Sequence, residues 1–146
     1  MRVGFSKAVR GLRQAGACAV VGLMLALPVS AGPVPMAQNA HINDELRAGF
    51  AGDIVRKTCP TISARMLVVM RRLWELKAYA EAQGYSASDY DAFRGDSAQK
   101  KRLKDEAAAY LAAAGANLGD VQSYCAVGEA EIAKKTPLGT LLRSSR

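Results

Sequence analysis

The chain has 146 residues, half of them hydrophobic, with a formal net charge of +7, three cysteines, one histidine and one tryptophan. That is the length of one domain with a modest core. No C-x-x-C or H-x-x-x-H spacing exists for a zinc centre, and the charge excess shrinks once the N-terminal segment is set apart, which argues against nucleic acid as a partner.

Residues 1–31 read as a secretory signal peptide. Arg2, Lys7, Arg10 and Arg13 form a positive region without an acidic residue, and an uncharged apolar run follows from Ala15 to Leu27. Pro28 interrupts it, and Val29-Ser30-Ala31 offers the small residues that signal peptidase accepts. The run is shorter than the ~20 residues needed to span a bilayer, so a retained anchor is the lesser reading. Cys18 opens the apolar run instead of following it, which speaks against a lipidated cysteine. Cleavage is expected between Ala31 and Gly32. All 13 acidic residues and 16 of the 20 basic ones lie beyond that point, so the exported chain carries about +3.

Residues 32–41, GPVPMAQNAH, contain two prolines and no period, and a flexible leader is expected there. The first helix is predicted to be capped at Asn43 and to run to about Thr58, with Ile42, Leu46, Phe50 and Ile54 in one apolar stripe. Gly49 and Gly52 weaken it or admit a close neighbour. Pro60 biases Cys59 away from helical angles and ends it.

Cys59 and Cys125 are the cysteines left after signal removal. Exported chains meet an oxidising compartment, and an even count predicts their pairing. Closing a loop of roughly 65 residues stabilises a fold by about 4 kcal/mol in the chain-entropy model. A nucleophilic Cys59 needs an adjacent histidine, and His41 lies in the leader.

A second helix is predicted from a Thr61 cap to Gly84. Ile62, Met66, Val69, Met70, Leu73, Trp74 and Leu76 form a wide apolar arc, with Arg65, Arg71, Arg72 and Glu75 mostly on the other side. A core packed on several neighbours is the expected role of this arc, ahead of a ligand pocket. A short helix capped by Ser86 or Ser88 follows, with Tyr90 and Phe93 inward. Its Asp89 and Asp91 suggest a calcium loop, but the fifth and sixth positions are Phe93 and Arg94, which breaks that pattern.

The next helix starts at Asp96 or Ser97 and closes at Gly115, burying Leu103, Ala107, Tyr110, Leu111 and Ala114. Lys100, Lys101, Arg102 and Lys104 form a basic cluster. Asp105 and Glu106 stand four residues after Lys101 and Arg102, so a solvated, self-paired face is expected. An anionic partner or membrane surface is the alternative for this cluster. No aromatic residue interleaves to stack on bases. Ser97-Ala98-Gln99-Lys100 spells S-x-x-K, but the companion motifs of penicillin-binding enzymes are missing.

Asp120 opens the last long helix, with Val121, Tyr124, Cys125, Gly128 and Ile132 on one face. Gly128, one turn beyond Cys125, permits a close crossing. Pro137 begins a terminal turn carrying Leu138, Leu141 and Leu142, followed by a polar tail. Neither an internal repeat nor strand-like alternation is visible.

At Cys59-Pro60, Gly84-Tyr85-Ser86 and Ser123-Tyr124-Cys125-Ala126-Val127-Gly128-Glu129, the chain resembles a domain-of-unknown-function family of small exported bacterial helical proteins with two separated cysteines. The resemblance covers most of residues 42–143. It implies structural motifs and transfers no activity and no site residue.

The expected architecture is all-α, a small bundle of four to five helices in one domain over residues 42–143, stapled by one disulfide. No cofactor or metal is expected. Enzymes need a nucleophile with a base, paired carboxylates or a metal. The close acidic pairs, Asp89/Asp91 and Glu129/Glu131, are two residues apart and point to different faces of a helix. The reading is therefore a non-enzymatic interaction protein of the periplasm with a protein partner. The alternatives are an envelope-associated protein, held by the basic helix or by the Leu138, Leu141, Leu142 turn, and, less favoured, a small enzyme.

Overall fold

A computed structural model describes residues 32–145. The segment expected to be a signal peptide, including Ala31 on the near side of the expected cleavage point, lies outside the described residues. The elements are α1 (Ala40–Thr58), β1 (Ile62–Ala64), α2 (Met66–Ala82), α3 (Ala87–Gly95), α4 (Ser97–Ala113), α5 (Val121–Lys134), the one-turn α6 (Pro137–Thr140) and β2 (Leu142–Ser144). The fold is helical, with one two-stranded ribbon.

The expected flexible leader is instead partly built into the domain. Met36–Gln38 forms a 3-10 turn, and Met36 and Asn39 are buried. Asn39, not Asn43, caps α1, its side chain accepting the Ile42 N–H at 3.1 Å. Asn43 Nδ2 donates to the carbonyls of Met36 and Asn39, and the Tyr85 hydroxyl donates to the Val34 carbonyl at 2.7 Å. Hydrogen bonds hold this segment, which is why hydrophobic periodicity did not find it.

The α1 helix is the axis of the domain and touches α2, α4, α5, α6 and β1, most extensively α4. Because neighbours approach from several sides, its buried residues do not keep one stripe. Ile42 and Leu46 belong to a core with Leu76, Ala80, Tyr85, Tyr90 and Leu103. Ala51 and Val55 belong to a second core with Ile62, Ala107, Leu111, Cys125, Val127, Leu138 and Leu142. Phe50 and Ile54 of the expected stripe are only half-buried.

Cys59 and Cys125 form the expected disulfide, with Cα atoms 5.1 Å apart, and tie the C-terminal end of α1 to α5. Beside it α5 crosses closely at Gly128. A Cβ there would stand 2.5 Å from Ile62 Cδ1 and 2.8 Å from Val55 Cγ1. Gly139 is tighter still, since a Cβ would lie 1.9 Å from the Glu131 carbonyl oxygen.

The second helix begins later than its apolar period predicts. Ile62–Ala64 is a strand, paired antiparallel with Leu142–Ser144 in the register Ile62↔Ser144, Ser63↔Arg143, Ala64↔Leu142. Arg143 and Ser144 of the expected polar tail thus belong to this ribbon. Leu138, Leu141 and Leu142 are buried and face the core, not an envelope surface.

Candidate functional site

The wide apolar arc of α2 is present, but the core uses only one edge of it. Leu76 and Ala80 are buried, and Val69 and Leu73 half-buried. Arg72 reinforces that edge. Its Nη1 donates to both Glu45 carboxylate oxygens of α1 at 2.6 and 2.7 Å, and its Nη2 to Thr140 Oγ1 at 3.1 Å. The remaining apolar residues stand in water: Leu67 is 89% exposed, Trp74 69%, Met66 58% and Met70 43%. At 100° per residue these four share one side of α2, next to Val69 and Leu73. The expectation that Met66, Met70 and Trp74 are core is corrected here. The sequence signal was the width of the arc, which exceeds what one packed edge can cover.

Beside that exposed side, at Val69 and Leu73, lies a groove of about 540 Å³ that is open to solvent. Its floor is α1, through Leu46, Gly49 and Phe50. Val69 and Leu73 of α2 form one wall, and Asp91, Arg94, Gly95 and Lys100, from α3 and α4, the other. Gly49 leaves the floor clear, since a Cβ there would touch nothing within 4 Å.

The charges around the groove are unevenly satisfied. Glu45 is held by Arg72, and Asp91 by Lys77 at 2.7 Å. Asp53 accepts from Arg56 and from Lys57 Nζ, the latter at 2.6 Å. Partial burial pushes the Asp53 carboxyl up, but those two hydrogen bonds and charges outweigh it and hold it below its ordinary value. The cations on the opposite wall lack such partners. Arg94 lies 5.9 Å from the Tyr90 ring centroid and Lys104 Nζ 5.8 Å from that of Phe50. Among the described residues neither they nor Lys100 is paired with a carboxylate.

The basic cluster singled out in the sequence therefore divides. Lys101 pairs with Asp105 at 2.6 Å and Arg102 with Glu106 at 2.7 Å, as their spacing suggested. Arg102 also donates to Asn43 Oδ1 across to α1. Lys100 and Lys104, one turn apart, are left on the groove side.

The other candidates disperse. His41 packs edge-on against Tyr79 with ring centroids 4.4 Å apart. It sits near the opposite end of α1 from Cys59, about 27 Å away at 1.5 Å per residue. Asp89 closes a capping box with Ser86, whose hydrogen bonds hold its carboxyl below the ordinary value, while Asp91 turns to Lys77. Glu129 accepts from Ser144. Glu131 is buried and accepts from the Tyr110 and Thr136 hydroxyls. Among the described residues, no three His, Cys, Asp or Glu side chains are grouped as metal ligands would be, and no helix is long and apolar enough to cross a membrane.

Fold and site together define a disulfide-stapled helical domain with one apolar helix face left uncovered. Residues 34–143 match a family of unknown function, DUF5333, and the chain belongs to that family. No curated protein and no solved structure matches the chain.

Proposed function

We propose that this is an exported, non-enzymatic binding protein of the periplasm that engages a protein partner through the outer face of α2. The observation that carries the reading is the placement of Met66, Leu67, Met70 and Trp74 in solvent on one side of a single helix. Scattered apolar residues on a surface are ordinary, whereas a contiguous group with a groove beside it marks an interaction site. Met and Trp are also the side chains that interfaces favour, one adaptable and one a large anchor. Export is supported by the signal-like segment and by the buried Cys59–Cys125 bond, since cytosolic thiols are kept reduced.

Two measurements test this. Intact mass of the protein from the periplasmic fraction, alkylated with and without prior reduction, should give a chain beginning at Gly32 that takes up label only after reduction. Absence from the periplasmic fraction overturns export, a mass retaining residues 1–31 overturns cleavage after Ala31, and immediate alkylation overturns the staple. Replacing Met70 with a photo-crosslinking benzoylphenylalanine should yield a discrete protein adduct in intact cells. The same probe on the exposed Ala109, on the far side of α4, should not. Absence of an adduct at position 70, with the protein sedimenting on anionic liposomes instead, would favour envelope association.

A further inference from the structure

We infer that the partner presents an amphipathic helix with acidic flanks. It seats its apolar side in the groove between α2 and the α3–α4 wall and turns its carboxylates towards Arg94, Lys100 and Lys104. This inference rests on the reading of the outer α2 face as a binding surface and names the chemistry of what binds there.

Shape argues first. The groove is open to solvent, and its α2 wall of Val69 and Leu73 adjoins, around the helix, the exposed stripe of Met70, Trp74 and Leu67. A small ligand is normally buried over most of its surface, which an open groove does not provide. A helix lying alongside α2 covers groove and stripe together, with anchors every three to four residues. The 17 residues of α2 offer about 25 Å of such surface at 1.5 Å per residue. Gly49 lets the visiting side chains reach the α1 floor.

Charge argues second. Glu45 and Asp53 already hold basic partners, and Asp91 of α3 is taken up by Lys77 of α2. Arg94 and Lys100 line the groove and Lys104 stands 5.8 Å from the Phe50 ring of its floor, and among the described residues none of the three is paired with a carboxylate. An incoming carboxylate gains an attractive partner at no expense to an existing pair, whereas an incoming cation meets like charge. Complementarity of this kind selects partners and speeds encounter. A second copy of the chain is disfavoured, because the cations Arg71 and Lys77 flank the apolar stripe of its own α2.

Trp74 is the only tryptophan of the chain, so its emission reports directly on this face. The probes are two synthetic 18-residue amphipathic peptides without tryptophan, identical in their leucine face and flanked by Glu in one and Lys in the other, together with phosphatidylglycerol vesicles. With the oxidised protein, the Glu-flanked peptide should blue-shift Trp74 emission and bind at least roughly tenfold more tightly than its Lys twin. That preference should weaken with salt and reverse in Lys100→Glu/Lys104→Glu. Gly49→Leu should fill the groove and abolish binding while circular dichroism stays unchanged. Gly49→Ala, with an equally unobstructed Cβ, is the milder control.

Equal binding of both peptides, binding of neither, a Trp74 shift with vesicles alone, or a concentration-dependent shift without probe that marks self-association, each overturns the inference. The crosslink at position 70 separates the two levels of argument. An adduct that persists unchanged in Lys100→Glu/Lys104→Glu retains the binding face and rejects the acidic partner. No adduct at all rejects the binding face itself.

Discussion

Arg72 of α2 grips the Glu45 carboxylate of α1 with Nη1 at 2.6 and 2.7 Å from its two oxygens, and both side chains are largely withdrawn from solvent. Arg72 and Glu75 stand at the i, i+3 spacing of a helical ion pair. In the fold Glu75 meets Arg71, at 3.5 Å, and Arg72 reaches across. This contact, with Leu76 and Ala80, fixes which side of α2 faces inward.

Glu45→Gln should therefore lower stability by about 1–2 kcal/mol, between an exposed ion pair and a buried charged hydrogen bond. Arg72→Ala should lower it at least as much, because Thr140 loses a donor too. Urea unfolding measures both. Hydrogen exchange should localise the loss to faster opening of α2; uniform acceleration across α1 and α5 would contradict the assignment.

The exposed stripe makes the opposite demand. Trp74→Ala and Leu67→Ser should change stability by no more than about 0.5 kcal/mol, as for other surface positions. A tryptophan in a packed core would cost about 3–5 kcal/mol on the same truncation. Equilibrium unfolding of these two variants thus separates the exposed face from the core role that the period alone suggests. The adduct formed at position 70 should be lost in both.

Cutting the staple should be the largest single loss. Cys59→Ser/Cys125→Ser is expected to cost about 4 kcal/mol in the chain-entropy picture. Thermal unfolding with and without the bond reads this. Both cysteines are buried, so reductant should act slowly on the native protein and quickly in denaturant. Rapid reduction of the native state would mean that the α1–α5 corner opens locally.

Stability should fall at both ends of the pH scale. The folded value of Asp53 lies below its ordinary 3.8, and so does that of Asp89. Their contribution is complete above the unfolded value and is lost as pH drops through the lower folded one. Burial raises Tyr90 and Tyr110 above 10.0, aided at Tyr110 by the hydrogen bond to Glu131. Beside Tyr90 the Arg94 guanidinium opposes the rise without cancelling it. For these groups the contribution is complete below the unfolded value and disappears as pH rises through the higher folded one. A pH series of unfolding midpoints should show both declines. Asp53→Asn should flatten the acid side and Tyr110→Phe the alkaline side.

Much of the fold was legible because its signals are local. Ser86, Asp96 and Asp120 accept N–H groups of the helices they precede, as their residue types foretold. Pro60 ends α1, Leu103, Ala107 and Leu111 bury one face of α4, and the two cysteines meet. Capping and helical period involve residues within four positions of each other, so composition at those positions suffices. The salt bridges within α4 were readable on the same grounds.

What the tertiary structure alone decided lies between elements. Ile62 fits the helical period of α2, yet it pairs with Ser144, 82 residues on. Three-residue strands have too few positions to show alternation, and their partner is set by how the chain returns. Likewise the sequence determined that α2 carries a broad apolar arc, but not that α1 would cover only its Leu76–Ala80 edge and leave Leu67 and Trp74 in water. The division of the basic cluster follows the same logic. Lys101 and Arg102 find acids on their own helix, whereas Lys100 and Lys104 acquire their meaning only from a groove built by three other helices.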